Sequence, residues 1–225
     1  MIWLSNTDRA WLREMQPGLS LVTTAKKDLI IGQYAFNAVY NDVPIIDTYA
    51  IRAVLSKSDV QPPCVYEAGG RLRSVLDSHP ELHDNLAELH CYTDGKLCLA
   101  APQDIALNFM PQPSLALLFD QYVQPFLYSQ AYFQQYGDWP WQHLPHDAAG
   151  ILTWYEQNTT LPGAAKATVA ALIGLDTERS RRARKRAVMI DSMNPRAPCL
   201  CGSGKTTMQC HRASLAIAYE FRRKR

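Results

Sequence analysis

The sequence predicts an α+β fold in which an N-terminal helix precedes a four-stranded antiparallel meander and further helices follow. Three observations predict it: a polar opening with apolar residues at helical spacing, four short runs rich in β-branched and aromatic residues, and later stretches whose apolar residues return to helical spacing. With 225 residues, 47% hydrophobic and 20% charged, the chain can bury one core and carry a small appendage.

The sequence predicts the first helix from the spacing of its apolar residues and the strands of the meander from their composition and the turns between them. "NTDRAWLREM" has apolar Ala10, Trp11 and Met15 at helical spacing and ends at Pro17-Gly18. The strands "LSLVTT", "LIIGQYAFNAVYN" and "PIIDTYAIRAVLS" are separated by the turns "AKKD" and "NDV". A fourth strand, "CVYE", follows two prolines. Consecutive strands joined by short turns favour an antiparallel meander.

The remaining elements of the front part are a loop-like region and helices. "SLALLFDQYVQPFLYSQAYFQQY" is helical with a kink or break at Pro125, and "AAGILTWYEQN" and "AAKATVAALIGL" follow as helices. No apolar run approaches the ~18 residues of a membrane span, and the N-terminus does not resemble a signal peptide. We therefore expect a cytoplasmic protein without membrane contact, whose six cysteines serve metal or thiol chemistry rather than disulfides.

The charge is divided unevenly along the chain. Residues 1–175 contain 10 Lys and Arg against 17 Asp and Glu, whereas residues 176–225 contain 13 against 4. The basic run "ERSRRARKRAVMIDSM" can begin a helix after Asp176 or Thr177 and end before Pro195. We interpret it as a solvated linker helix. Weak contact with nucleic acid or an acidic partner is the alternative.

The stretch "APCLCGSGKTTMQCH" near the C-terminus fits a metal site better than a phosphate-binding loop. A Walker A loop ending at Gly204-Lys205 needs a glycine at position 199, and that residue is a cysteine. Three thiolates and one imidazole within thirteen residues instead suit tetrahedral Zn²⁺. Free or disulfide-paired cysteines remain the alternative. The predicted structural zinc ligands are Cys199, Cys201, Cys210 and His211.

This stretch resembles the SEC-C motif, a short zinc module with the pattern C-x-C-G-S-G-K…C-[CH]. The resemblance covers residues 194 to about 212 and implies a structural, often interaction-mediating module. The predicted domains are therefore a main domain over residues 1–160, a basic helical linker over 161–193 and a zinc module over 194–225.

A second chemical candidate lies in "LHCYTDGKLCLAAP", residues 89–102. Asp94-Gly95 predicts a tight turn, and Cys98 follows it after two residues, with His90 eight residues earlier. An accessible thiolate on such a loop can act as a nucleophile. Cys64 and Cys91 are rival cysteines, and the latter is the stronger rival because it adjoins the histidine. A buried, unreactive cysteine and a structural histidine are the alternative interpretation.

The order of these features resembles the ubiquitin-conjugating-enzyme family. Pro62-Pro63 with Val65 and Tyr66 matches the family's "PPxVxF"-like stretch, and "DGKLCL" matches its "NGxxCL" active-site loop. The resemblance covers roughly residues 5–160 and implies a ubiquitin-conjugating-enzyme-like fold. It also implies that Cys98 is the thioester-forming cysteine.

The chain departs from the eukaryotic members in having His90 where they have the asparagine of the HPN motif. Bacterial relatives resemble it in this respect. Such proteins occur in CBASS antiphage operons, which implies that the partner is the C-terminus of a cGAS-like nucleotidyltransferase. The chain has no room for an adenylating domain after the conjugating domain, so a separate activating enzyme is an additional partner to test.

Two classes of function follow. In the first, the protein is a ubiquitin-conjugating-like acyl transferase in antiviral defence, with catalytic Cys98 and His90. In the second, the conjugating-type fold is a non-catalytic module that binds protein or nucleic acid through its surface and its basic zinc tail. The genes that neighbour its own would discriminate between them.

Overall fold

The computed structural model describes residues 4–57, 62–141, 150, 153–154, 157–158, 160, 163, 196 and 205–210. They fall into two compact units: one holds the residues within Met1–Ala100 and Gln112–Gln142, and the other those within Ala101–Pro111 and His143–Arg225. The first unit contains an N-terminal helix, a four-stranded antiparallel sheet and helices that follow the sheet. The predicted α+β class and the predicted meander are confirmed.

Helix α1 spans Asn6–Met15, as predicted. Ser5 and Asp8 form a capping box, in which each side chain accepts the other residue's backbone N–H. Met15, one of the three apolar residues at helical spacing, is 63% exposed. Leu12 is the buried apolar residue of the last turns.

The sheet has the order β1-β2-β3-β4, with strands Leu19–Thr23, Lys27–Tyr40, Val43–Ser56 and Cys64–Glu67. Strands β2 and β3 pair along their whole lengths through a two-residue turn at Asn41 and Asp42, both with positive φ. That geometry suits the twist of a hairpin. Alternate residues of both strands are buried, so one face of the sheet packs on the core.

Helix α2, Arg71–Ser78, was not predicted and replaces the expected loop after β4. Its first turn is held by residues from the sheet. The carboxylate of Glu67 accepts the backbone N–H of Leu72 at 3.4 Å. The Arg71 guanidinium donates to both carboxylate oxygens of Asp47 at 2.8 and 2.7 Å and lies 4.2 Å from the ring centroid of Tyr49. The helix therefore depends on long-range contacts.

The long C-terminal helix of this unit consists of α4, Leu115–Leu118, a wide π-helical turn, Phe119–Val123, and α5, Gln124–Tyr136. Pro125 lies in the first turn of α5, directly after the wide turn. A proline cannot donate the usual backbone hydrogen bond. The kink or break predicted at Pro125 is therefore present as a π-helical turn, which is wider than an α-helical one. Leu127 and Tyr128 of α5 are fully buried.

Asp8 stabilises the fold beyond its own helix. Its side chain accepts the hydroxyl and backbone N–H of Ser5 at 2.7 and 2.9 Å, and its other oxygen accepts the backbone N–H of Leu115 at 2.7 Å. The residue is only 4% exposed. One carboxylate thus joins the start of α1 to the start of α4.

We expect Asp8→Ala to lower the free energy of unfolding by about 3 kcal/mol, because a cap is lost and a buried N–H loses a charged acceptor. The shift of the urea midpoint measures it. Thr7→Ala, at an exposed position of the same helix, is the control and should change the midpoint little. Equal midpoints for the Asp8 and Thr7 variants would contradict the prediction.

The second unit is described in part. Helix α3 spans Pro102–Asp104 and continues into a π-helical turn, Ile105–Phe109, and a short helix α6 spans Thr207–Cys210. In the parts of the chain that the structure describes, no helix is both long and apolar enough to cross a bilayer. The predicted domain boundaries at residues 160/161 and 193/194 adjoin positions outside the described residues, so that division stays a prediction.

Candidate functional site

The segment around Cys98 is a tight hairpin. Gly95 donates its N–H to the carbonyl of Tyr92 at 2.9 Å, and Tyr92 donates to the carbonyl of Lys96 at 2.8 Å. Gly95 has a φ of 80°, a conformation that side chains disfavour. Asp94 accepts the N–H of Lys96 at 3.0 Å. The predicted Asp94-Gly95 turn is therefore present, and it returns the chain alongside residues 90–92.

The hairpin places Cys98 opposite His90. Cys91 and Leu97 form an antiparallel bridge, and the next pair is joined by a hydrogen bond of 2.8 Å from the N–H of Cys98 to the carbonyl of His90. Cys91 and Leu97 are buried, whereas His90 and Cys98 are partly exposed. The two expected site residues therefore lie side by side on the hairpin and are less buried than the neighbouring pair.

The hairpin is joined to the edge of the sheet. Leu97 donates its N–H to the carbonyl of Val65 in β4 at 2.8 Å, and Tyr66 forms an antiparallel bridge with Lys96. These contacts extend the sheet by a short stretch of the hairpin. A nucleophile on a segment attached to a sheet is better oriented than one on a free loop.

His90 is held in place through its backbone. It ends a short helical turn, Leu86–Leu89, with a φ of 53°, and its N–H donates to the carbonyl of Ala87 at 2.9 Å. The carbonyl of Leu89 accepts a buried hydrogen bond of 3.1 Å from the side chain of Gln130 in α5. The sheet edge and α5 together determine where His90 lies.

Cys91, the closest rival in sequence, is in an unfavourable environment for a nucleophile. It is buried, and its thiol lies 3.4 Å from the carbonyl of Leu89. Burial, with smaller contributions from the charges of Cys98 and Glu67, raises the pKa of the Cys91 thiol to about 12. The thiolate is the reactive form, so at neutral pH this cysteine is almost entirely unreactive.

We expect Cys91 to resist iodoacetamide in the folded protein from pH 7 to 9 and to react after denaturation. Its raised pKa moves thiolate formation, and hence alkylation, to higher pH. The same shift makes the folded state less stable as pH rises from about 9 towards 12, since the unfolded thiol ionises first. Peptide mapping at several pH values measures the modification. Rapid native alkylation of Cys91 at pH 8 would contradict the prediction.

Cys64 is the first residue of β4 and is partly exposed. Its predicted position in a strand is confirmed. Val65, its neighbour, is the buried residue of that strand, because side chains alternate between the two faces.

Aromatic and basic residues surround the hairpin, and the sequence did not reveal them as a group. The guanidinium of Arg52 lies 4.2 Å from the ring centroid of Tyr66, and the ammonium of Lys96 lies 4.3 Å from that of Tyr92. The ring of Trp139 meets that of His90 edge to face. Strand register could have suggested the Arg52–Tyr66 pair, whereas nothing local points to Trp139.

The predicted zinc ligands Cys199, Cys201 and His211 lie outside the described residues, and Cys210 is described only as the last residue of α6. Among the residues that the structure does describe, no group of three or more His, Cys, Asp or Glu side chains could hold a metal ion. The zinc site therefore stays a prediction. The donor set itself, three thiols and an imidazole, is the kind that structural zinc sites use.

No family model, curated protein or solved structure matches the chain.

Proposed function

We propose that this protein is a ubiquitin-conjugating-like cysteine enzyme, which carries an acyl group as a thioester on Cys98 and passes it to a nucleophile. The observation that carries the proposal is the backbone hydrogen bond of 2.8 Å from the N–H of Cys98 to the carbonyl of His90, which pairs the residue of the expected nucleophile with the residue of the expected histidine. Both residues are partly exposed, whereas the rival Cys91 is buried. A sulfur nucleophile next to a proton-transferring side chain suits acyl transfer.

The chemistry consists of two acyl transfers. In the first, the Cys98 thiolate attacks the carbonyl carbon of an activated C-terminal acyl group, and the activating group leaves. In the second, an amine attacks the thioester, the thiolate of Cys98 leaves, and the amine loses a proton to a base. Two roles fit His90 in this second transfer: a hydrogen-bond donor to its tetrahedral oxyanion, or the base that takes the proton of the amine.

The acyl donor that we propose is the C-terminus of a cGAS-like nucleotidyltransferase in antiphage defence, and the reaction would take place in the cytoplasm. This choice rests on the "PPCVYE" and "DGKLCL" matches and on the histidine at position 90. A separate activating enzyme would supply the activated acyl group. The basic tail would add at most weak, salt-sensitive contact with nucleic acid.

The proposal is tested by intact-protein mass spectrometry after co-expression with a neighbouring nucleotidyltransferase and an activating enzyme. We expect an adduct whose mass is that of both chains joined by one acyl bond, and we expect a thiol reductant to remove it. Failure to form an adduct with every neighbour-encoded partner would favour the non-catalytic binding module.

We expect one structural Zn²⁺ per chain, bound by Cys199, Cys201, Cys210 and His211, since four protein ligands leave no position for water. Metal analysis of purified protein measures it. Cys201→Ser should lower the zinc content, whereas the control Cys64→Ser should not. Less than about half an equivalent of zinc, unchanged by Cys201→Ser, would contradict the prediction.

A further inference from the structure

The chain turns sharply at the end of α5 and places Trp139 in a defined position. Gly137 ends the helix with a φ of 72°, and its N–H donates to the carbonyl of Phe133 at 2.8 Å. The side chain of Asp138 then accepts the N–H of Trp139 at 2.8 Å. The backbone before the indole is thus held by two hydrogen bonds and by a left-handed glycine.

The indole of Trp139 is packed on a buried residue. Its ring stacks on that of Phe133, with centroids 4.4 Å apart and planes 16° from parallel. Phe133 is buried and also contacts the ring of His79, with centroids 5.0 Å apart. A ring supported in this way has little freedom to move.

The same indole contacts the candidate catalytic histidine. The rings of Trp139 and His90 have centroids 6.4 Å apart and lie at 83° to each other, the edge-to-face arrangement that aromatic pairs favour. The backbone hydrogen bond with Cys98 fixes where the main chain of His90 lies, but its ring still has two rotatable bonds. The indole contacts the ring itself and so restricts these rotations.

We propose that Trp139 is a positioning residue that holds the imidazole of His90 in its working orientation at the Cys98 site. The catalytic part of this inference rests on the proposed function, and the structural part rests on the distances and angles between the rings. Trp139 acts through His90. Its loss therefore slows acyl transfer from Cys98 and leaves formation of the thioester unchanged, because His90 is required in the second step.

The first test needs no partner. In the full-length protein with ¹³C-labelled histidine, the ring signals of His90, assigned with His90→Gln, should carry a ring-current displacement from the indole. Trp139→Ala should remove this displacement, and Trp139→Phe should retain part of it. Trp141→Ala is the matched control, because Trp141 packs on Tyr40 and Tyr128 with centroids 5.4 and 5.8 Å apart.

Each outcome of this test decides the proposal. Loss of the displacement in Trp139→Ala, with the Trp141→Ala signals as in the wild type, supports it. Unchanged His90 signals in Trp139→Ala overturn it. If the alanine variant does not fold, Trp139→Leu gives the same decision, because leucine keeps an apolar side chain against Phe133.

The second test measures single-turnover transfer from preformed thioester. We expect Trp139→Ala to slow transfer on the order of tenfold, and Trp139→Phe to restore most of the rate. Thioester formation should be as in the wild type. Equal losses in both steps would show a merely structural role and overturn the proposal. If the wild type formed no adduct, the proposed function would be wrong. The positioning role of Trp139 would still be tested, because the NMR signals of His90 measure it independently.

Discussion

We expect replacement of Cys98 with alanine to abolish the reductant-sensitive adduct with the partner's C-terminus, and replacement with serine to give either a more stable ester or no adduct. The reason is that, in the proposed function, Cys98 supplies the attacking atom, and alanine has no group that can replace it. Cys98 is partly exposed, so its replacement by alanine removes little packing. Intact mass spectrometry with and without reductant measures the adduct, and urea unfolding checks the fold.

The two neighbouring cysteines provide the controls. Cys64→Ala and Cys91→Ala should retain the adduct, although the second removes a buried side chain and lowers stability. If Cys98→Ala kept the full adduct while Cys91→Ala lost it, the assignment of the nucleophile would be wrong. That outcome would also require Cys91 to become exposed, against its burial in the hairpin.

The second large effect is expected at His90. His90→Ala should slow transfer from the thioester by about 100-fold or more, a loss that corresponds to one well-placed group acting in the transition state. Binding of the partner should change much less, because the side chain is proposed to act on the reacting atoms. Single-turnover rates at saturating and subsaturating acceptor separate these two effects.

His83→Ala is a suitable control for the His90 variant. His83 is exposed, and it ends a short helical turn with a positive φ, as His90 does. His90→Asn separates the two proposed roles, since asparagine retains an N–H donor but cannot act as a base. Recovery of transfer in this variant would assign the oxyanion role. Wild-type transfer in His90→Ala would exclude both roles.

Several local elements were predictable because their signals lie within a few residues. Ser5 and Asp8 cap α1 from the positions that a capping box requires, and both ends of that helix match the prediction. The long strands show alternation of buried and exposed residues, and Asp94-Gly95 provides the conformation that a tight turn needs. For such elements, short-range sterics and hydrogen bonding are sufficient.

Helix α2 shows where local signals were insufficient. It follows Gly69-Gly70, a typical loop pattern, and it is only eight residues long. Its first turn depends on Glu67 and on the pairing of Arg71 with Asp47, a residue of β3. A helix whose stability comes from a neighbouring strand cannot be recognised from its own residues.

The candidate site, too, was predictable from the local sequence only in part. The residues 90–98 alone indicated a turn, a histidine and two competing cysteines, because these features lie close together in the sequence. The tertiary structure decided that Cys91 is buried and that Cys98 lies opposite His90. It also brought Trp139 to His90 from the far end of α5. The burial of Cys91 and the contact of Trp139 with His90 arise only when the helix packs on the sheet. Hydrophobic periodicity reports on residues that are close together in the sequence, so it cannot predict contacts between residues that are far apart in the chain.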